Sequence, residues 1–154
     1  MNRRRKLRPA QGFLVIAAVF LLVVLAGLVA YLTTVSTTSQ AASAADFNSA
    51  RAYQAARAGI EWGAYQVLRN PGGTFKTNCD SAPEKFNLTF SSTLLPYTAT
   101  VRCSSTTLTE GGSSVTVYSI ASNACNEPAA GDCPNTATTS GTYVERQVTL
   151  GLSN

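Results

Sequence analysis

The chain has 154 residues, of which 45 % are hydrophobic and 13 % charged, and it contains no histidine. This balance excludes an intrinsically disordered chain, which needs low hydrophobicity and high charge, and the length leaves room for one domain plus an anchor. The net charge of +4 is local: Arg3, Arg4, Arg5, Lys6 and Arg8 lie in the first twelve residues, and the twelve basic residues less these five leave seven against eight acidic ones. A nucleic-acid-binding face needs Lys and Arg spread over the folded part, so no nucleic-acid partner is expected. Without histidine the chain also lacks the commonest general base and the commonest metal ligand.

Residues 1–12 read as a short basic leader. Residues 13–32, FLVIAAVFLLVVLAGLVAYL, carry no charge. As a helix this run spans roughly 30 Å, the thickness of one hydrocarbon core. A domain of this size has no core wide enough to cover such a helix on every side. Phe13, Leu14, Val15, Ile16, Ala17 and Leu32 are therefore expected in a membrane anchor. The basic residues before it orient the N-terminus to the cytoplasm and the rest of the chain outside. A cleaved secretory signal is the competing reading, with Ala42-Ser43-Ala44 as its cutting site, but that site lies ten residues beyond the apolar run.

Helical character continues through residues 33–69. The stretch is Ala-rich and has no proline before Pro71. Tyr53, Ala56, Ile60, Gly63 and Val67 recur at steps of three and four, which predicts one buried face. Residues 33–39 are the weakest part, being rich in Thr, Ser and Val. The expectation is one helix from Phe13 to about Arg69, roughly 85 Å long, stopped at Asn70-Pro71-Gly72-Gly73.

Residues 74–154 change period. Tyr97, Ala99, Val101 and Cys103 alternate onto one face of a strand, as do Val144, Val148, Leu150 and Leu152 near the end. SVTVYSIA (114–121) and FNLTF (86–90) read as further strands, with turns at Gly111-Gly112-Ser113 and across 126–141. The fold class is α+β: a long N-terminal helix, first transmembrane and then amphipathic, packed on a small antiparallel sheet of about four strands. Cys79, Cys103, Cys125 and Cys133 form no C-x-x-C pair and all follow the apolar run. An even count in an exported domain predicts disulfides. Of the three pairings that four cysteines allow, Cys79–Cys103 with Cys125–Cys133 closes the smaller loops and is preferred. No metal site is expected, because the zinc spacing is wrong. Glu127 and Asp132, inside the loop from Cys125 to Cys133, read as solvated residues in preference to a weak Ca²⁺ site.

Two blocks carry a resemblance. Gln11-Gly12-Phe13-Leu14-Val15-Ile16 joins the basic leader to the apolar helix, and it resembles the leader junction of type IV prepilins. That resemblance implies cutting between Gly12 and Phe13 by a prepilin peptidase, with methylation of the new amine. The block RAYQAARAGIEWGAYQ, with Arg51, Tyr53, Ala56, Gly59, Glu61 and Trp62, resembles the helix signature of the MshP-like biogenesis proteins of the mannose-sensitive haemagglutinin (MSHA) pilus system. The likeness covers residues 9–69 well and the strand region weakly. It implies a type IV pilin-like fold in the bacterial inner membrane, with a periplasmic C-terminal region. The implied partners are major and minor pilins, the prepilin peptidase, the inner-membrane assembly platform and the lipid bilayer.

One departure from the pilin pattern stands out. Major pilins carry Glu as the fifth mature residue, where this chain has Ala17, and no acid occurs before Asp46. The resemblance therefore implies a minor pilin acting in initiation or near the tip. A type II secretion pseudopilin is the alternative, and a membrane-tethered periplasmic binding module is the reading from a different class. The latter requires a flexible linker after the membrane, and none is evident. An enzyme is not expected: Asp80, Glu84, Glu110, Glu127, Asp132 and Glu145 form no spaced motif with a partner base. No cofactor is expected.

Overall fold

The computed structural model describes residues 11–153. Most of the expected leader, residues 1–10, lies outside the described residues, and for Gln11, Gly12 and Phe13 only the helical backbone is described. Helix α1 runs Gln11–Arg69 and α2 Thr74–Ser81. Strands β1 (Glu84–Thr89), β2 (Thr98–Glu110), β3 (Ser113–Cys125) and β4 (Glu145–Ser153) form one antiparallel sheet in the order β1-β2-β3-β4. The chain divides into two compact units, one ending at Ser43 and one running from Ala44 onward.

In the first unit the helix persists through the stretch of weakest propensity. The hydroxyls there bond backward along the helix: Thr33 to the Ala30 carbonyl at 2.8 Å, Thr37 to that of Thr34 at 2.9 Å, and Thr38 to that of Val35 at 3.0 Å. Such bonds satisfy polar side chains without water, so Thr and Ser fit a helix in an apolar setting.

In the second unit the helix lies on the sheet through its smallest residues. Ala52, Ala55 and Ala56 cluster with Tyr97, Ala99 and Ala124, and Ala99 is the direct cross-strand partner of Ala124. Further along, Ile60 and Val67 pack with Val101, Ile120, Cys103 and Tyr118. The buried stripe thus runs Ala52, Ala55, Ala56, Gly59, Ile60, Gly63, Val67. Tyr53, expected on this face, is 46 % exposed and lies off it. The correction has a steric cause. A Cβ on Gly59 would meet Val101 at 3.1 Å, and one on Gly63 would meet Ile120 at 3.0 Å. A helix seated that closely has no room for a tyrosine ring between it and the sheet.

A second correction concerns residues 74–81, which sequence reading placed in the β-rich region and which form α2. Phe75 and Cys79 are both buried, four residues apart, and Lys76 bridges Asp80 at 2.8 Å on the same spacing. The Gly73 carbonyl accepts the first-turn bond from the Thr77 N–H at 3.0 Å. The remaining strands follow expectation, and the hairpin between β2 and β3 turns on Gly111 and Gly112. Both have positive φ, +56° and +83°, as a two-residue hairpin turn demands.

Candidate functional site

Two regions are candidates: the apolar helix of the first unit and the signature segment of the second. Leu14, Val15, Ile16 and Leu32 are exposed, and Ala17 is half-buried. The most apolar window of α1 has a mean hydropathy of 2.9 with none of it buried in the protein. From Phe13 to Ala45 no side chain is charged. Surface of that kind is stable only when lipid or other helices cover it. One helix near the N-terminus is thus long and apolar enough to cross a membrane.

The signature residues divide by role. Ala56 and Gly59 face the sheet. Trp62 stacks on Phe86 of β1, with centroids 4.5 Å apart, and meets the edge of Phe75 of α2 at 4.9 Å. It therefore joins three elements, at about 0.5–1.5 kcal/mol for each aromatic pair. Arg51 clasps the turn Ser92–Leu94. Its Nε donates to the Thr93 carbonyl at 2.8 Å, and its Nη2 donates to the carbonyls of Thr93 and Leu95. The same guanidinium lies over the rings of Phe47 and Tyr97, 5.7 and 5.3 Å from their centroids. The Tyr97 hydroxyl in turn donates to the Asn48 carbonyl at 2.9 Å, and burial raises its pKa. Tyr53 and Glu61 remain on the surface, where Glu61 pairs with Arg57 at 3.0 Å. Most of the signature therefore seats the helix and its neighbouring loop, and only its exposed positions are open to a partner.

The cysteines pair as Cys79–Cys103 and Cys125–Cys133. The first bridge lies on the helix side of the sheet and ties α2 to β2. The second lies on the opposite face and straps the 126–144 segment across it. The Cys133 N–H donates to the Thr100 Oγ1 at 2.7 Å, Arg102 donates to the Cys133 carbonyl at 3.0 Å, and Asp132 accepts from both Lys85 and Asn87 at 2.5 Å. Glu127 instead accepts from Thr138, Ser140 and Thr142 within the same segment. The two acids that share this disulfide loop thus serve different neighbours.

A polar network not foreseen from the sequence sits beside the first bridge. Asp80 accepts from Lys76 at 2.8 Å and from the Tyr118 hydroxyl at 2.6 Å, and the Lys76 ammonium lies 5.2 Å from the Tyr118 ring centroid. The bond from Lys76, then that from Tyr118, holds the Asp80 carboxyl below its usual pKa, while the bond to Asp80 raises that of Lys76. A depressed carboxyl pKa stabilises the fold above the unfolded-state value and loses that contribution as pH falls through the folded one. The raised Lys76 pKa stabilises below the unfolded lysine value, with loss only as pH rises through the folded one. Asp80→Asn is therefore expected to lower the unfolding midpoint more at about pH 7 than at about pH 3. Equal losses at both pH values in denaturant titrations would remove the carboxylate from this account.

The Asp80 network could have been suspected from the i,i+4 spacing of Lys76 and Asp80. The Arg51 clasp leaves no sequence signal, because its hydrogen-bonding partners are backbone carbonyls more than forty residues away. No family model, no curated protein and no solved structure matches this chain.

Proposed function

We propose that this chain is a pilin-like assembly protein. In this reading it is a minor subunit acting in the initiation of an MSHA-type type IV pilus, not an enzyme. It is made as a prepilin, cut between Gly12 and Phe13, and held in the bacterial inner membrane by residues 13–32, with the disulfide-bearing unit in the periplasm. Its partners are other pilins, the prepilin peptidase and the assembly platform. The observation that supports this reading most is the join between anchor and folded unit. Helix α1 runs Gln11–Arg69 as one element, and its outer part forms a wall of the folded core. A tethered binding module needs a flexible linker at that point.

Ala17 supports the minor, initiating role. In a shaft, an acid at this position meets the terminal amine of the neighbouring subunit, because an unpaired charge in lipid is costly. A subunit without the acid gives no such pairing, and one added first has no predecessor whose amine needs it. The mass of the mature N-terminus tests the whole proposal. The expected mature chain starts at Phe13, one methyl group heavier than its sequence predicts. A mature chain starting near Ala45 overturns the pilin reading.

A further inference from the structure

Residues 13–45 carry no charge. As helix they span roughly 50 Å, a little more than the roughly 40–45 Å of a bilayer with its headgroups. The first charged side chains beyond the lipid are then Asp46 and Arg51, with Phe47 between them. That placement rests on the anchoring proposed above; the chemistry of the surface there does not.

Phe47, Ala50, Arg51 and Gln54 of α1, with Thr93 and Leu94 of the neighbouring turn, line a shallow, mostly apolar groove of about 360 Å³. Phe47 is 65 % exposed, and Leu95, next along the turn, is 62 % exposed. A single charge lies among them. The Arg51 guanidinium donates through Nε and Nη2 to the carbonyls of Thr93 and Leu95, which fix it in place without neutralising it. Its Nη1 has no hydrogen-bond partner among the described residues. The ion pairs among those residues lie elsewhere, at Arg57–Glu61, Lys76–Asp80 and Lys85–Asp132. Asp46 lines a different groove, with Ser49 and residues 143–146. A held cation is thus set among exposed apolar side chains, and no acid lines its groove.

We propose that this patch binds the surface of an anionic lipid bilayer, with a headgroup phosphate against Arg51 Nη1 and with Phe47 and Leu95 in the glycerol and upper acyl region. A free anion meets the charge but leaves both apolar side chains in water. An uncharged apolar ligand covers the side chains but desolvates a guanidinium without pairing it, which is costly. An anionic phospholipid satisfies both halves. The anchor brings such lipids to within about two helical turns of Arg51, which favours them over an acidic protein partner.

The test reconstitutes the full-length chain in phosphatidylcholine vesicles that carry a small fraction of photoactivatable lipid. The diazirine sits near the glycerol of either phosphatidylglycerol or phosphatidylcholine, and labelled peptides are mapped by mass spectrometry after illumination. Phe47 and residues 93–95 are expected to take at least about fivefold more label from phosphatidylglycerol, the factor that one basic residue contributes at an anionic surface. Arg51→Gln is expected to abolish that preference. Leu95→Asp, which keeps the backbone carbonyls that hold Arg51, is expected to abolish it too. Excess inorganic phosphate is expected to change nothing; if it removes the preference, the patch takes free phosphate and the lipid assignment falls. Equal labelling by the two lipids, or a preference that persists in Leu95→Asp with both native disulfides intact, also overturns the inference. Label in the anchor but not at 47 and 93–95 overturns it while the pilin reading stands, whereas an anchor that takes no label overturns both.

Discussion

Gly12→Arg is expected to abolish maturation and leave a precursor that keeps all twelve leader residues. The described helix already includes Gly12 and Phe13, so the bond between them has to leave helical form to enter a peptidase as an extended segment. Glycine lowers the cost of that step, because it destabilises a helix by about 1 kcal/mol relative to alanine and has no side chain to obstruct the enzyme. Arginine reverses both effects and adds a charge beside the membrane boundary. The uncut leader then keeps Arg3, Arg4, Arg5, Lys6 and Arg8 attached to a helix that carries no charge of its own from Phe13 to Ala45. Burying that basic cluster among neighbouring anchors is unfavourable, so the precursor is expected to stay in the membrane and out of any filament. Gly12→Ala should fall between the two, cut more slowly than the natural chain. N-terminal mass analysis of membrane fractions reads all three, and a Gly12→Arg chain that still begins at Phe13 contradicts the proposed processing.

The parts of the fold that were legible in the sequence are those governed by repetition along one element. An uncharged run of twenty residues predicts one long apolar helix, which α1 contains, and the expected alternation appears in the structure as Ala99, Val101 and Cys103 buried on one face of β2, with Tyr97 buried just before the strand. The Gly111-Gly112 turn was equally legible, because few other residues tolerate its backbone angles. Failures came where size mattered more than hydrophobicity. Tyr53 has the correct spacing for the buried stripe, but the contact selects alanine and glycine, and periodicity alone does not weigh volume. Helix α2 was missed because eight residues give only two buried positions, Phe75 and Cys79, too few to establish a period. Among the candidate site residues, Arg51, Ala56, Gly59 and Trp62 were singled out by resemblance. Their roles became clear only when the sheet, the turn at residues 92–94 and the ring of Phe86 were in place.

Gly59→Leu is expected to destabilise the folded unit by about 3 kcal/mol, through overpacking at the closest approach of helix and sheet. A bare Cβ at this position would overlap the Ser122 Oγ and sit 3.2 Å from the Ser122 Cβ and 3.1 Å from Val101 Cγ2. Ser122 and Val101 are fully buried cross-strand partners at the centre of the sheet, so neither can retreat toward solvent. Gly59→Ala is the finer probe. It gains about 1 kcal/mol of helix propensity, which offsets part of the clash. The Ser122 hydroxyl is buried with no hydrogen-bond partner among the described residues, so Ser122→Ala alone is expected to be neutral or stabilising, because it removes an unsatisfied polar group. The same change also removes the atom nearest the added methyl. Combining Gly59→Ala with Ser122→Ala should therefore recover about 1–2 kcal/mol beyond the sum of the single effects, a coupling that only direct contact produces. Chemical denaturation of the four chains in this cycle measures that coupling. If the single effects simply add, the helix does not press on Ser122 as closely as this packing requires, and the small residues of the signature need another explanation.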